Sequence, residues 1–180
     1  MSFAFDGLQS EKRKRMDVVI RALMKLLSER IPSYSNTSVG VARYRWAGNP
    51  GKCKLEMVVP FGDTSPILSN LERELAPSGG SPAGVGIKQA VDILTESDAE
   101  KRAVILIFDG EEIEGEKASA LIPEPGKCAA RIFAVQTGMS KSGEENQDVE
   151  NVTAPNGYVV AQTEEELIDN IDYWIRFGLS

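Results

Sequence analysis

The 180 residues carry 20 Lys and Arg against 27 Asp and Glu, a formal net charge of -7, and 42% of them are hydrophobic. That acidic balance excludes a generally basic nucleic-acid or anionic-membrane binder, and the apolar mass suffices for one core, so a single domain over residues 1–180 is expected. The chain has no His and two distant cysteines, Cys53 and Cys128, which rules out nucleophile–His–acid catalysis and leaves no pattern for a zinc site or a disulfide framework. No apolar run approaches the roughly 20 residues of a membrane span and nothing resembles a signal peptide, so a cytoplasmic location is expected.

Taken in order, Ser2–Phe5 is a short apolar run closed by Asp6-Gly7 and reads as a first strand. From Ser10 onward Met16, Val19, Ile20, Leu23 and Leu27 recur at helical spacing, and Pro32 closes the pattern. The basic run Lys12-Arg13-Lys14-Arg15 falls in the first turns of this helix and reads as a solvated face. Residues 37–46 and 54–61 are β-branched and aromatic on either side of Gly48-Asn49-Pro50-Gly51, which predicts an antiparallel hairpin. Trp46, like Trp174 further on, is expected in packing.

Ser65-Pro66 opens a helix bearing Ile67, Leu68, Leu71 and Leu75, and Ser81-Pro82 opens another bearing Ile87, Ala90, Val91 and Leu94. Residues 103–108, Ala-Val-Ile-Leu-Ile-Phe, form an unbroken apolar run ending in Asp109-Gly110, the signature of a central strand covered on both faces. A weak helix over 114–121, a strand over 129–137, a polar loop over 140–148 and a strand over 157–162 follow. Thr163-Glu164-Glu165-Glu166 is a capping-box start for a final helix with Leu167, Ile168, Ile171, Trp174 and Ile175 on its apolar face. The fold class is therefore α/β, a doubly wound, mostly parallel sheet of about six strands with one antiparallel edge strand and helices on both faces. Cys53 and Cys128 fall at opposite ends of such a sheet and are expected as free thiols.

Ligands of open α/β sheets bind outside the carboxyl ends of the strands. The first strand and the strand ending at Asp109 are natural neighbours there, which brings Asp6 and Asp109 to one crevice. The Gly79-Gly80-Ser81 loop enters its helix from the same edge. Two carboxylates with the hydroxyls of Ser10 and Ser81 are all hard oxygen donors, suited to an ion such as Mg²⁺ that keeps several waters.

The set Phe5-Asp6-Gly7-Leu8-Gln9-Ser10, then Pro77-Ser78-Gly79-Gly80-Ser81-Pro82-Ala83-Gly84, then Ile107-Phe108-Asp109-Gly110-Glu111 resembles the von Willebrand factor A domain across essentially the whole chain. That family's metal-ion-dependent adhesion site holds a divalent ion, usually Mg²⁺, with one position open for an acidic residue of a partner protein. The resemblance assigns Asp6 to the first Asp of the family's loop, Ser10 to its second Ser, Ser81 to its Thr and Asp109 to its last Asp. Leu8 stands where the family has a first Ser, so one hydroxyl ligand is missing and water must replace it.

The resemblance implies a non-enzymatic protein-binding module whose partner is a protein, bound through an Asp or Glu on the ion. Without an ion, Lys12, Arg13 and Lys14 are placed to meet that acid directly. The alternative is a nucleotide-binding or phosphoryl-transfer enzyme on the same sheet. It is opposed by the absence of Gly-x-Gly-x-x-Gly and of a Gly-Lys-Ser/Thr loop. A nucleic-acid reading of the basic run is opposed by the overall charge.

Overall fold

The computed structural model describes residues 9–46, 53–62, 71–75, 83–109, 116–122, 124, 127–138 and 146–178. Helix α1 (Gln9–Lys25) carries the apolar stripe expected of it, with Met16, Val19, Ile20 and Ala22 buried. It widens into a π turn at Leu26–Arg30, where the Ile31 N–H reaches back to the Leu26 carbonyl, and ends in a 3₁₀ turn at Ile31–Ser33. Pro32 thus sits inside the closing turn rather than beyond it, because at the first positions of a helical turn its missing N–H costs nothing.

The hairpin forms as expected: β1 (Val41–Trp46) pairs antiparallel with β2 (Cys53–Val59), with Val41 opposite Val59 and Trp46 opposite Cys53. Helix α2 is described over Leu71–Glu74, with Leu71 and Leu75 buried, and α3 spans Ala83–Thr95. The earlier part of the helix expected from Ser65-Pro66 lies outside the described residues.

Three strands form a parallel sheet in the order β3 (Ala103–Phe108), β4 (Arg131–Thr137), β5 (Tyr158–Ala161). Their side chains alternate between two cores. Ile107, Phe133 and Val135 join α1 and α6 (Glu164–Arg176), whereas Val104, Leu106, Phe108, Ile132 and Ala134 join Ile87 and Val91 of α3 on the other face. This two-sided burial explains why β3 has no polar residue along its length. Two short helices complete this part of the chain, α4 (Ala118–Leu121) and α5 (Gln147–Glu150).

Of the weak helix expected over 114–121, Ala118–Leu121 is helical, with the Asp148 carboxylate accepting the Ala118 N–H at 2.5 Å, while residues 114 and 115 lie outside the described residues. The polar loop over 140–148 gives way at Gln147 to α5, capped by the Asn146 side chain accepting from the Val149 N–H. The final helix begins as expected, with a complete capping box between Thr163 and Glu166 and with Leu167, Ile168, Ile171 and Trp174 buried.

In place of one sheet of six strands, the described residues hold the three-stranded parallel sheet and the separate β1–β2 pair. The strand expected at Ser2–Phe5 lies outside them. A cavity of about 860 Å³ lies between β1 and β3, with α1 and α6 on one side and α3 on the other. Among the described residues no helix is long and apolar enough to cross a membrane.

Candidate functional site at the carboxyl edge of the sheet

The apolar run of β3 delivers Asp109 to the end of the strand with its side chain fully buried, at 0% exposure. A carboxylate withdrawn so completely from water is held by specific polar surroundings rather than by solvation. The register sets Phe108 beside Gln136, so the next residue of β4, Thr137, stands level with Asp109. The Thr137 hydroxyl donates to the Phe108 carbonyl at 3.0 Å within the interior. That carbonyl belongs to the peptide unit carrying the Asp109 nitrogen, so the bond fixes the direction in which the chain leaves β3.

Arg15 closes the same point from α1. Its Nη1 donates to the Thr137 carbonyl at 2.7 Å, in a partly buried position. The Arg15 turn of α1 therefore lies at the edge of the sheet where Thr137 ends β4. The solvated basic face expected at residues 12–15 needs correction at Arg15. Its head is held by the Thr137 carbonyl of β4, while the side chains of Lys12, Arg13 and Lys14 lie outside the described residues.

After Thr137 the chain turns at Gly138, where φ is +77° and the N–H donates to the Ala161 carbonyl at 3.0 Å. A Cβ at Gly138 would lie 2.8 Å from the Arg15 guanidinium carbon, so the left-handed backbone favours glycine and a side chain there would push the arginine head aside. Arg15, Thr137, Ala161, Gln162, Thr163 and Leu167 surround a small cleft of about 150 Å³ beside this turn, open to solvent.

On the other face of β4, Gln136 is fully buried and anchors a second polar chain. Its Nε2 donates to the Gly138 carbonyl at 3.0 Å, the Tyr158 hydroxyl donates to its Oε1, and the Asn146 N–H donates to the Tyr158 hydroxyl at 3.0 Å. The Tyr158 ring stands edge-on to Phe108, with centroids 6.3 Å apart. The polar ends of β3, β4 and β5 are thus tied to one another directly behind Asp109.

The Cβ position of Gly84, in the first turn of α3, lies 2.7 Å from the Glu116 carbonyl and 2.9 Å from the Ala118 Cα, so α3 begins against residues 116–118. Of the four residues assigned to an ion, Asp109 is placed at this edge and Ser10 lies in the first turn of α1. Asp6 and Ser81, together with Leu8, lie outside the described residues. Among the described residues no cluster of three or more Cys, Asp or Glu side chains is formed. The donor set nonetheless fits a hard divalent cation, since two carboxylates and two hydroxyls supply oxygen alone and leave positions for water. Sequence reasoning missed Arg15, Thr137 and Gln136. The polar pair that ends the apolar run of β4 was the available signal.

The backbone is similar to that of an aerotolerance-related membrane protein from Bacteroides fragilis NCTC 9343, with a TM-score of 0.62 and 18% identity over 90% of this chain and 88% of that one. It is also similar to manganese-loaded Plasmodium vivax TRAP protein, at a TM-score of 0.62 and 17% identity over 87% of this chain and 65% of that one. A third similar structure is proximal thread matrix protein 1 of the mussel byssus with a zinc-occupied MIDAS motif, at a TM-score of 0.65 and 12% identity over 95% of this chain. The chain has a von Willebrand factor A-like fold. It spans 44% of the mussel protein's length. No family profile and no curated protein sequence matches it. In this von Willebrand factor A-like frame, Asp109 stands at the carboxyl edge of the sheet, directly after β3.

Proposed function

We propose that the chain is a non-enzymatic, cytoplasmic protein-binding module of von Willebrand factor A type, built on a mostly parallel sheet of about six strands. It docks a protein partner through the carboxyl edge of that sheet. Asp6, Ser10, Ser81 and Asp109 hold a divalent cation there, Mg²⁺ being the first candidate, with water in the place that Leu8 leaves unfilled. An Asp or Glu of the partner completes the coordination shell, which makes docking cation-dependent.

The observation that carries this reading is the fully buried Asp109 at the end of β3, level with Thr137, whose carbonyl Arg15 of α1 holds. The Thr137 and Arg15 hydrogen bonds hold the backbone around it, and a fixed first ligand lowers the ordering cost of binding an ion. The zinc in the MIDAS motif of the mussel protein and the manganese of the TRAP protein support divalent-cation binding as a chemistry available to this fold.

The test is calorimetric titration of Mg²⁺ and Mn²⁺ into the metal-stripped chain, with Asp109→Ala as the control. Saturable binding that disappears in the variant is the expected result. No binding at millimolar ion removes the cation from the reading and turns the search to acidic partners held by Lys12, Arg13 and Lys14.

A further inference from the structure

Ala154-Pro155-Asn156-Gly157 is the tight turn that feeds β5. The Gly157 N–H donates to the Ala154 carbonyl at 2.8 Å, Pro155 holds the second position and Asn156 has φ +58°, the pattern of a type II turn. Two structural demands meet there. The positive φ favours glycine or asparagine at the third position. At the fourth, a Cβ would lie 2.7 Å from the Ala154 carbonyl oxygen and 3.1 Å from the Phe133 ring, so any side chain would force the backbone of the turn to shift. Together these demands produce the one Asn-Gly pair of the chain, with Asn156 exposed and Gly157 buried. The turn is also pinned to β4 at both ends. The Ala154 N–H donates to the Ile132 carbonyl and the Gly157 carbonyl accepts from the Ala134 N–H, each at 2.8 Å.

We propose that Asn156 is a modification site, converted to aspartate and isoaspartate only through opening of this turn, and that the isoaspartate uncouples β5 from β4. The Gly157 nitrogen attacks Asn156 Cγ; the N–Cγ bond forms, the Cγ–Nδ2 bond breaks, and Nδ2 leaves as ammonia with the proton of the attacking N–H. Glycine at the attacking position puts no Cβ in the way. Water then opens the cyclic imide at either carbonyl. Opening at Cγ gives aspartate on an unaltered backbone. Opening at the main-chain carbonyl routes the chain through Cβ and Cγ and adds one carbon directly before β5. The closed turn withholds the nucleophile, because the Gly157 N–H is held by Ala154 and both ends of the turn are held by β4. Once the extra carbon is present, Tyr158 cannot keep both its register with Ala134 and the hydroxyl bond it donates to buried Gln136. No ion enters any of these steps, so the inference is independent of the cation reading.

The test incubates the full chain at pH 8, native and in urea, and follows the amide-to-acid mass change at Asn156 by peptide mass spectrometry, with isoaspartyl methyltransferase labelling to count isoaspartate. Conversion in the native chain should be slower than in urea by about tenfold or more, since the reaction draws on the open fraction alone. Equal rates overturn the gating, and no conversion in urea overturns the site itself. Pro155→Ala loosens the turn without touching the reacting pair. It should raise the native rate by about two- to fivefold and leave the rate in urea unchanged; an unchanged native rate also overturns the gating. For the consequence, the isoaspartyl chain is separated by chromatography and compared with Asn156→Asp, which has the same charge on an unaltered backbone. Its Ala134 N–H should exchange faster by about tenfold or more while β1 and β2 keep their protection. Equal exchange in the two proteins overturns the uncoupling.

Discussion

Arg15 and Gly138 stand in direct opposition: the guanidinium of the first lies where a side chain on the second would be, 2.8 Å from the ideal Cβ position. The same arginine donates to the Thr137 carbonyl at 2.7 Å. One contact therefore links α1 to the turn that follows β4.

Arg15→Ala is expected to cost about 1–2 kcal/mol through its lost charge-assisted hydrogen bond. Gly138→Ala is expected to cost a further ~1–2 kcal/mol for an L side chain at positive φ. Because the two meet, the double variant should be more stable than the sum of the singles by about 0.5 kcal/mol or more. Strict additivity in urea melts would show that the arginine does not crowd the turn.

The buried Gln136–Tyr158 pair makes a sharper stability prediction. Tyr158→Phe removes the donor to Gln136 Oε1 and the acceptor of the Asn146 N–H. A loss of about 1–3 kcal/mol is expected because a buried polar group is left without its partner. Adding Gln136→Leu to this variant should recover part of the loss, and chemical denaturation of the three proteins measures it.

Below the sheet, Tyr34 donates to Asp172 and accepts from Arg176 Nε at 2.9 Å, while Arg176 lies 3.1 Å from Asp172 and 5.1 Å from the Tyr34 ring centroid. Burial first, and the Asp172 hydrogen bond second, raise the Tyr34 pKa in the folded chain. A raised phenol pKa stabilises the fold fully below the unfolded value of about 10, and that stability is lost as pH rises through it toward the folded value. Thermal midpoints of the wild type should therefore fall more steeply above pH 10 than those of Tyr34→Phe. Parallel profiles would dissociate this triad from alkaline unfolding.

Burial also raises the Cys128 thiol, with Lys88 acting weakly in the opposite sense. In a Cys53→Ser chain, alkylation by iodoacetamide at pH 8 should be slower in the folded protein than in denaturant. The pH of half-maximal rate should lie above that of the denatured chain, since the thiolate is the reacting form. Equal profiles would place the thiol in water.

Much of this architecture was legible in the residues. The six apolar residues before Asp109 gave β3, and Thr163 with Glu166 gave the start of α6, because strand burial and capping leave local signatures. The helix α5 was not legible, since four residues carry no periodicity and its cap, Asn146, lies inside a polar stretch. Arg15 was misread for a related reason: a run of four cations looks uniformly solvated until tertiary structure gives one of them a carbonyl. At the candidate site, the position of Asp109 was legible from the strand it ends. Its supporting bonds from Thr137 and Arg15 were not, because they join residues 29 and 122 positions apart in the chain.

The pairing of α1 with α6 has a consequence for how the protein comes into being. Arg21 reaches Glu164 at 2.9 Å and Tyr34 reaches Asp172, so the first helix is completed by the last. A ribosome emitting this chain releases α1 with its apolar stripe exposed, and the last part of its cover, α6, emerges only after some 140 further residues have been made. Through most of its synthesis the nascent chain is thus a sticky intermediate, and a premature stop anywhere before α6 should yield an aggregation-prone fragment rather than a smaller working domain.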